Sequence, residues 1–413
     1  MSLQIEAPAS SVPEPGLWRN LSFITLALGT AVSLAGDALY TLVIPLWIIQ
    51  ATGSSSACAA VYGTASLVTL LVSPVAGTFA DRNDRRRVMI VADTVRTLVL
   101  ILLAVFMWRG SPALWHLTLA AASLSVAAAF FSPAYAAALS GLVHPKDLTQ
   151  ALAIFQLLRQ VIMLTGSAMA GVLVSVAGNG TALCLDAGSF VVSALCICVI
   201  RLHWAHRPTR ERKPFWRDLT DGVTTLVGNR VLVRTVVLGA GVNLVGGFFV
   251  VLLPVAAIRE LHLAAVQYGL LNTANPAGIV AGMTILSLLA KRIEHRGRFM
   301  LWCLLAMGMV NALMGLLTNL WAFAALLFLG GLTFGLGNVM FASLYRELVP
   351  QEQQGRFFGM LGTLSQILVP VGITVGGVLG DHMSPFGVFG LGGTLIVCLA
   401  LWGFMTPGLR NLR

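Results

Sequence analysis

Five ionisable side chains stand inside stretches that are otherwise apolar: Asp37, Asp93, Arg96, Arg159 and Asp186. A mid-helix Asp or Arg in lipid costs on the order of 2.5–3.5 kcal/mol on insertion scales, so each is expected to have a partner or a task. Asp93 and Arg96 are three residues apart, a spacing that brings two side chains to one side of a helix, and a structural ion pair is the plain expectation for them. Arg159 lies at a depth comparable to Asp93 and is expected to pair with Asp93 or Asp81 in preference to touching a ligand. Asp37 differs, because no cation stands three or four positions away and Gly36 thins the surface beside it. Taking a carboxyl out of water favours its protonated form. Asp37 is therefore a candidate to take up and release a proton, with direct binding of a cation and a hydrogen-bonded structural role as alternatives. Asp186 is a second proton candidate, although capping near the membrane surface suits its position better.

The elements that must hold these groups are read from hydropathy. Of the 413 residues 57% are hydrophobic and only 10% are charged, against roughly 25% charged in a soluble domain. A bilayer-crossing helix needs about 20 mostly apolar residues. Cutting the chain at its polar clusters leaves twelve such stretches, near 21–50, 57–80, 88–108, 113–143, 149–177, 181–200, 232–257, 266–290, 299–318, 320–345, 356–380 and 386–406. Barrel strands would be short and alternating, whereas Leu98 to Met107 is continuously apolar. The fold class expected is an all-α membrane protein.

Charge orients the spans. With the N-terminus and every even-numbered connection on one side, the 26 Lys and Arg residues divide as 22 on that side, Arg109 and Arg259 on the other, and Arg96 and Arg159 within spans. The positive-inside rule makes the basic side, and both termini, cytoplasmic. The net charge of +10 then belongs to loops facing anionic lipid and calls for no nucleic acid. The longest polar connection, around Arg207-Pro208-Thr209-Arg210-Glu211-Arg212-Lys213-Pro214, separates two halves of six spans. The expected organisation is a cytoplasmic tail at 1–20, a bundle at 21–200, an inter-bundle loop at 201–231, a second bundle at 232–406 and a tail at 407–413. Phe215, Trp216 and Leu219, interleaved with Arg217 and Asp218, suit either a short interfacial helix or a plain linker. The tail lacks the basic lead into a short apolar core that marks a cleavable signal.

The sharpest local signal is Gly77-Thr78-Phe79-Ala80-Asp81-Arg82-Asn83-Asp84-Arg85-Arg86-Arg87. Gly77 would allow close helix contact, Asn83-Asp84 a tight turn, and the arginines open span three at the headgroups. Asp81 sits at the negative end of its own helix, which is unfavourable unless a cation or another helix's N-terminus compensates, so it is expected to bridge something and act as a latch. Lys291 to Arg298 repeats a short basic connection after span eight, as parallel halves would. Here the chain resembles the major facilitator superfamily, whose signature Gly-x-x-x-Asp-Arg/Lys-x-Gly-x-Arg-Arg/Lys is met by Gly77, Asp81, Arg82, Arg85 and Arg86, with Asp84 at the usual second Gly and the arginines one place early. The stretch Phe131 to Leu139 followed by Leu142 to Leu148, together with Arg159 and Gly166 to Gly171, is similar to the branch of macrolide-efflux proteins and the enterobactin exporter, although the Pro of that branch's span-five motif is missing.

The resemblance covers residues 20 to 406 and implies two pseudo-symmetric six-helix bundles in a bacterial inner membrane, rocking around a central cavity lined by spans one, four, seven and ten. On those spans stand Asp37, Tyr40, Phe131, Tyr135, Asn243, Asn338, Phe341 and Tyr345. The loop residues Gly77, Asp81, Arg82, Arg85 and Arg86, with the charges Asp93, Arg96 and Arg159 whose pairing in one access state would bias the equilibrium, are expected to form a conformational latch. Gly372, Gly376 and Gly380 on span eleven are packing positions first. Asn272 and Asn275 before Pro276 suggest a gate or a kink. No phosphate-binding Gly-Lys-Ser/Thr loop exists in the sequence, so gradients must supply the energy. The expected function is proton-coupled export of an amphipathic small molecule such as a drug or siderophore, with lipid or lysolipid flipping and nutrient import as alternatives. A membrane enzyme is disfavoured, since the seven His are scattered. No cofactor and no metal are expected, partners are cargo, protons and lipid, and a monomer is the expectation.

Overall fold

A computed structural model describes residues 17–110, 112–144, 146–200, 224, 226–289, 293–317, 319–351 and 353–410, without the side chains of Trp18, Asp81, Arg356, Thr363, Gln366 and Pro407. Phe215, Trp216 and Leu219, most of the N-terminal tail, most of the inter-bundle loop, and Lys291 and Arg292 lie outside the described residues, as does the Asp81 side chain on which the latch expectation turns.

Twelve long helices are present among the described residues. The first four are α1 (Leu21–Thr52), α2 (Ser55–Arg82), α3 (Arg85–Trp108) and α4 (Leu114–Leu142). Leu148–Val199 is continuous in its hydrogen bonding, but Gly178 at φ 78° and ψ 167° divides it into α5 (148–177) and α6 (179–199). That backbone region is open essentially only to glycine, and one such residue suffices to reverse the chain between two spans. The second half comprises α7 (Arg230–Val255), α8 (Ala265–Leu289), α9 (Arg296–Met314), α10 (Leu320–Leu348), α11 (Gln354–His382) and α12 (Pro385–Phe404).

Polar residues between spans satisfy the helix ends that lipid would leave unpaired. Asn20 accepts from Phe23 N–H at 3.2 Å and donates to the Leu142 carbonyl at 2.8 Å, tying the start of α1 to the end of α4. Asp84 accepts from Arg86 N–H at 3.0 Å and so starts α3, which makes the expected Asn83-Asp84 turn a stop and a cap in succession. Asn229, Asn319 and Ser384 cap α7, α10 and α12 in the same way.

The two halves pack by one scheme. In the first, α1 lies against α5 and α6, α2 against α4, and α3 against α4 and α6; in the second, α7 lies against α11, α8 against α10, and α9 against α10 and α12. Gly372 and Gly376 bring α11 onto Leu244 and Phe248 of α7, so the predicted small-residue ridge is a seam inside the second bundle. The bundles meet through α2 with α11, α5 with α8, and α1 with α7. Gly171 abuts the backbone of Ala265 and Val266, and Gly269 lies against Ser167 and Gly171; side chains at these two glycines would hold α5 and α8 apart.

These interbundle contacts gather at one face. That face carries the α1–α2, α5–α6 and α7–α8 connections, while the other, termed here the basic face, carries the α2–α3 connection. On α2, Ser55 and Ala59 touch Gly377 and Gly380 of α11, and Gly63 is near Ile373, but a Cβ on Gly77 would meet nothing within 4 Å among the described residues. Among the described residues the close helix contact expected at Gly77 is not made, and the α2–α11 contacts at glycines lie toward the other end of α2.

Candidate functional site

A cavity of about 570 Å³ lies between the bundles. From the first bundle α1 contributes Leu34, Asp37, Ala38 and Thr41, and α5 contributes Arg159, Ile162, Met163 and Ser167. From the second come chiefly Val242 to Leu253 of α7, Asn272, Asn275 and Pro276 of α8, Met307 and Asn311 of α9, and Phe334 of α10. The wall is mostly apolar, carries one carboxylate and one guanidinium, and offers three amides, a pattern that fits an amphipathic organic ligand. Asp37 is an exposed residue, but what it is exposed to is this chamber. Gly166 against the Ala38 methyl, 2.9 Å from where a Cβ would stand, lets α5 lie along α1, and this brings Arg159 to the same wall. Of the two partners expected for Arg159, Asp93 is instead paired with Arg96, and the Asp81 side chain lies outside the described residues; Arg159 lines the chamber with Asp37.

A second cavity, about 280 Å³, continues from the first inside the second bundle, sharing Val242, Met307 and Phe334 with it. Asn243, Asn338, Phe341 and Tyr345 line it, so four of the residues chosen from spans seven and ten do stand at a cavity wall. Tyr40, Phe131 and Tyr135 do not line either cavity. Tyr40 packs on the apolar core, and Phe131 and Tyr135 stack at 6.0 Å within the first bundle. α1 borders the chamber and turns Tyr40 away from it, whereas α4, which carries Phe131 and Tyr135, contributes no residue to either cavity. α8 continues as a helix past Pro276, which has no N–H to offer the Asn272 carbonyl; Asn272 and Asn275 are chamber residues, and Asn275 also donates to the Leu327 carbonyl at 3.4 Å.

Behind Asp37 lies a group of buried charges. Arg96 Nη1 is 3.4 Å from Asp93 Oδ1, as the three-residue spacing suggested, and Asp93 is wholly buried. The Arg96 guanidinium also stands over the rings of Phe131 and Phe190, 4.8 and 5.0 Å from their centroids. Two aromatic faces and a carboxylate hold this cation in place. Asp186 is not near the surface as its place in the sequence suggested. It is 0% exposed, with Oδ1 only 2.6 Å from where a Cβ on Gly36 would be. The bare backbone of Gly36 admits α6 so closely that the carboxyl is buried instead of capping a helix end.

The opposite face is shut by a cluster absent from the sequence expectations. Asp381, near the end of α11, accepts from Ser55 N–H at 2.6 Å, Ser56 N–H at 3.2 Å and the Ser54 hydroxyl at 3.1 Å. A carboxylate from one bundle thereby caps the first turn of α2 in the other. Arg259, after α7, donates to the Gly380 carbonyl at 3.1 Å and the Gly53 carbonyl at 3.4 Å, crossing the same seam. The expected latch residues at the basic face keep to their own bundle among the described contacts. Arg85 donates to the Ala137 carbonyl at 2.8 Å, Arg86 to the Cys198 carbonyl, and Arg87 lies 3.6 Å from Asp84, while Arg82 is exposed. The molecule is closed at one end of the cavity by these polar bonds and has no equivalent bond among described residues at the other.

Comparison with known proteins agrees with this geometry. Residues 17–407 match the family described as transmembrane secretion effector. Macrolide efflux protein A of Streptococcus pyogenes is 24% identical over 96% of this chain and 98% of its own. Multidrug efflux pump Tap of Mycobacterium tuberculosis is 25% identical over 95% of each chain. Among solved structures, a bacterial homologue of the iron transporter ferroportin in an inward-facing state superposes with a TM-score of 0.73 at 17% identity, over 95% of this chain and 98% of that one. The nucleoside transporter NupG does so at 0.76 and 11% identity, over 94% of this chain and 99% of that one. At such identities the structures speak to the fold alone.

Proposed function

Because the chain belongs to the transmembrane secretion effector family of major facilitator transporters, we propose that it is a secondary active exporter of an amphipathic organic molecule, driven by protons in a bacterial inner membrane. The observation that carries the proposal is a chamber bounded by both bundles in which one acid, Asp37, stands open to the cavity and opposite in charge to Arg159. The basic face is taken as cytoplasmic, because Lys and Arg retain loops on that side. The conformation is then inward-facing, with the outer seam shut by Asp381 and Arg259.

Cargo enters from the inner side and lays its apolar body against Phe249, Phe334 and the methionines, whose flexible thioethers adapt to different shapes. Its polar end meets Asp37, Arg159 or the amides. Asp37 binds either a proton or the cargo's positive end, and the difference between these occupied states biases the rocking of the halves. The drive amounts to about 2.3 kcal/mol per charge per 100 mV, plus any pH difference. The names of the two efflux relatives favour macrolides and other drugs as cargo.

The test uses energised inverted membrane vesicles loaded from outside with a macrolide, a cationic dye, a catecholate siderophore or a lysolipid. Uptake of the macrolide, dye or siderophore that collapses with the proton gradient is the expected result. Movement of the lysolipid alone, or of none of them, overturns the proposal.

A further inference from the structure

Behind the chamber the first bundle holds more acid than base. Asp37 of α1 acts electrostatically on both Asp93 of α3 and Asp186 of α6, and the cations that face this group are Arg96 of α3 and, from the cavity side, Arg159 of α5. Tyr40 of α1 and Tyr135 of α4 are the tyrosines of the same region. Each arginine already has a counter-charge: Arg96 pairs with Asp93 at 3.4 Å, and Arg159 shares the cavity wall with Asp37. Asp186 is left over. It is wholly buried, and among the described residues neither carboxyl oxygen has a partner at hydrogen-bond geometry. Ser189, one turn further along α6, donates its hydroxyl to the backbone carbonyl of Asp186 at 2.7 Å, and that single hydrogen is the one it could otherwise turn to the neighbouring carboxyl.

An anion with no countercharge of its own is not sustained in an apolar interior; the group neutralises instead. Arg96 has little freedom to turn to it, being held by Asp93 and by the faces of Phe131 and Phe190. The path outward is short, because a Cβ on Gly36 would meet the Ser189 hydroxyl and Asp186 Oδ1, so only bare backbone separates Asp186 from the turn of α1 that carries Asp37. We propose that Asp186 is a second proton-binding site, sealed from water and coupled past Gly36 to the cavity acid Asp37. The inference rests on the reading of Asp37 as the coupling carboxyl. The step passes one proton from the Asp186 carboxyl to the Asp37 carboxylate, breaking one O–H bond and forming another, with the summed charge of the cluster unchanged. The Asp186 anion is transient, and the site refills when Asp37 is next protonated.

The test is infrared spectroscopy of the purified full chain in lipid, which needs neither a known cargo nor transport. At near-neutral pH the wild type is expected to show the high-frequency carbonyl stretch of a protonated carboxyl without hydrogen bonds, slow to exchange in heavy water. Asp186→Asn removes that band, whereas Asp93→Asn and Asp37→Asn keep it. In Asp37→Asn one neighbouring negative charge is gone, so alkaline titration removes the band at lower pH than in wild type. Should Asp186→Asn not fold, Asp186→Glu is expected to move the band in frequency. A missing band in wild type, a band that survives Asp186→Asn or stays unmoved in Asp186→Glu, or a titration indifferent to Asp37→Asn overturns the inference. Loss of export with the band intact would instead count against the exporter reading alone.

Discussion

Asp381→Asn tests the polar seal of the outer face. The carboxylate sits at the negative end of its own helix α11 and at the positive end of α2, so its charge is opposed by one helix dipole and stabilised by the other only while the two helices touch. It accepts three hydrogen bonds, at 2.6, 3.2 and 3.1 Å. Charged acceptors are worth about 1.5–3 kcal/mol per bond when shielded, and solvent at this exposed site reduces that. Asparagine keeps one acceptor oxygen and turns an NH₂ group toward donors. A net loss of about 1–2 kcal/mol follows, a factor of roughly 5–30 in a two-state ratio. Because the bonds exist only with the outer face closed, the whole loss falls on that state. Spin labels at Ala51 and Met383, on a background with the six free cysteines replaced, report the outer separation by pulsed electron resonance. The outward-open population is expected to rise by that factor relative to the closed one. An unchanged distance distribution would refute the assignment of the seal to this carboxylate.

Other perturbations follow from the same geometry. Gly269→Ala places a methyl against the Ser167 carbonyl and 3.1 Å from Gly171 Cα, so it should part α5 from α8, raise thiol labelling of the cavity from outside, and cost about 1–3 kcal/mol of stability. Arg96→Gln leaves Asp93 buried without its partner and strips the cation from Phe131 and Phe190; a loss of about 3–5 kcal/mol is expected in thermal unfolding, and an unaltered melting temperature would contradict the structural pair. Phe334→Ala opens the junction of the two cavities and should raise the KM for cargo roughly tenfold, with the fold intact by circular dichroism. Equal KM values would place cargo elsewhere.

Span number, the division into halves and the Asp93–Arg96 pair were legible because each depends on local spacing: lipid thickness sets helix length, and three residues set one helical side. What hydropathy does not fix is rotation about a helix axis. A fully apolar helix reads alike from every side, so Tyr40, Phe131 and Tyr135 were expected at the cavity and instead pack within the first bundle. Arg159 and the amides Asn272, Asn275 and Asn311 reach the chamber for the converse reason. The depth of Asp186 depends on how closely α6 approaches Gly36 of α1, a tertiary distance with no local signature. Asp381 illustrates the limit best, since its partner Ser54 is 327 residues away and nothing around either residue announces the other. The dipole argument applied to Asp81 was available for Asp381 as well, because both are penultimate residues of their helices.

The central claim, that Asp37 couples proton movement to cargo, is tested most directly by gradient-driven accumulation in proteoliposomes. Wild-type protein and Asp37→Asn are reconstituted at equal density, the lumen is made acid, and uptake of erythromycin and of ethidium is followed. Accumulation of at least one compound by the wild type, abolished by Asp37→Asn, is the predicted result. Equal accumulation by the variant, or wild-type uptake indifferent to the imposed pH difference, would contradict it.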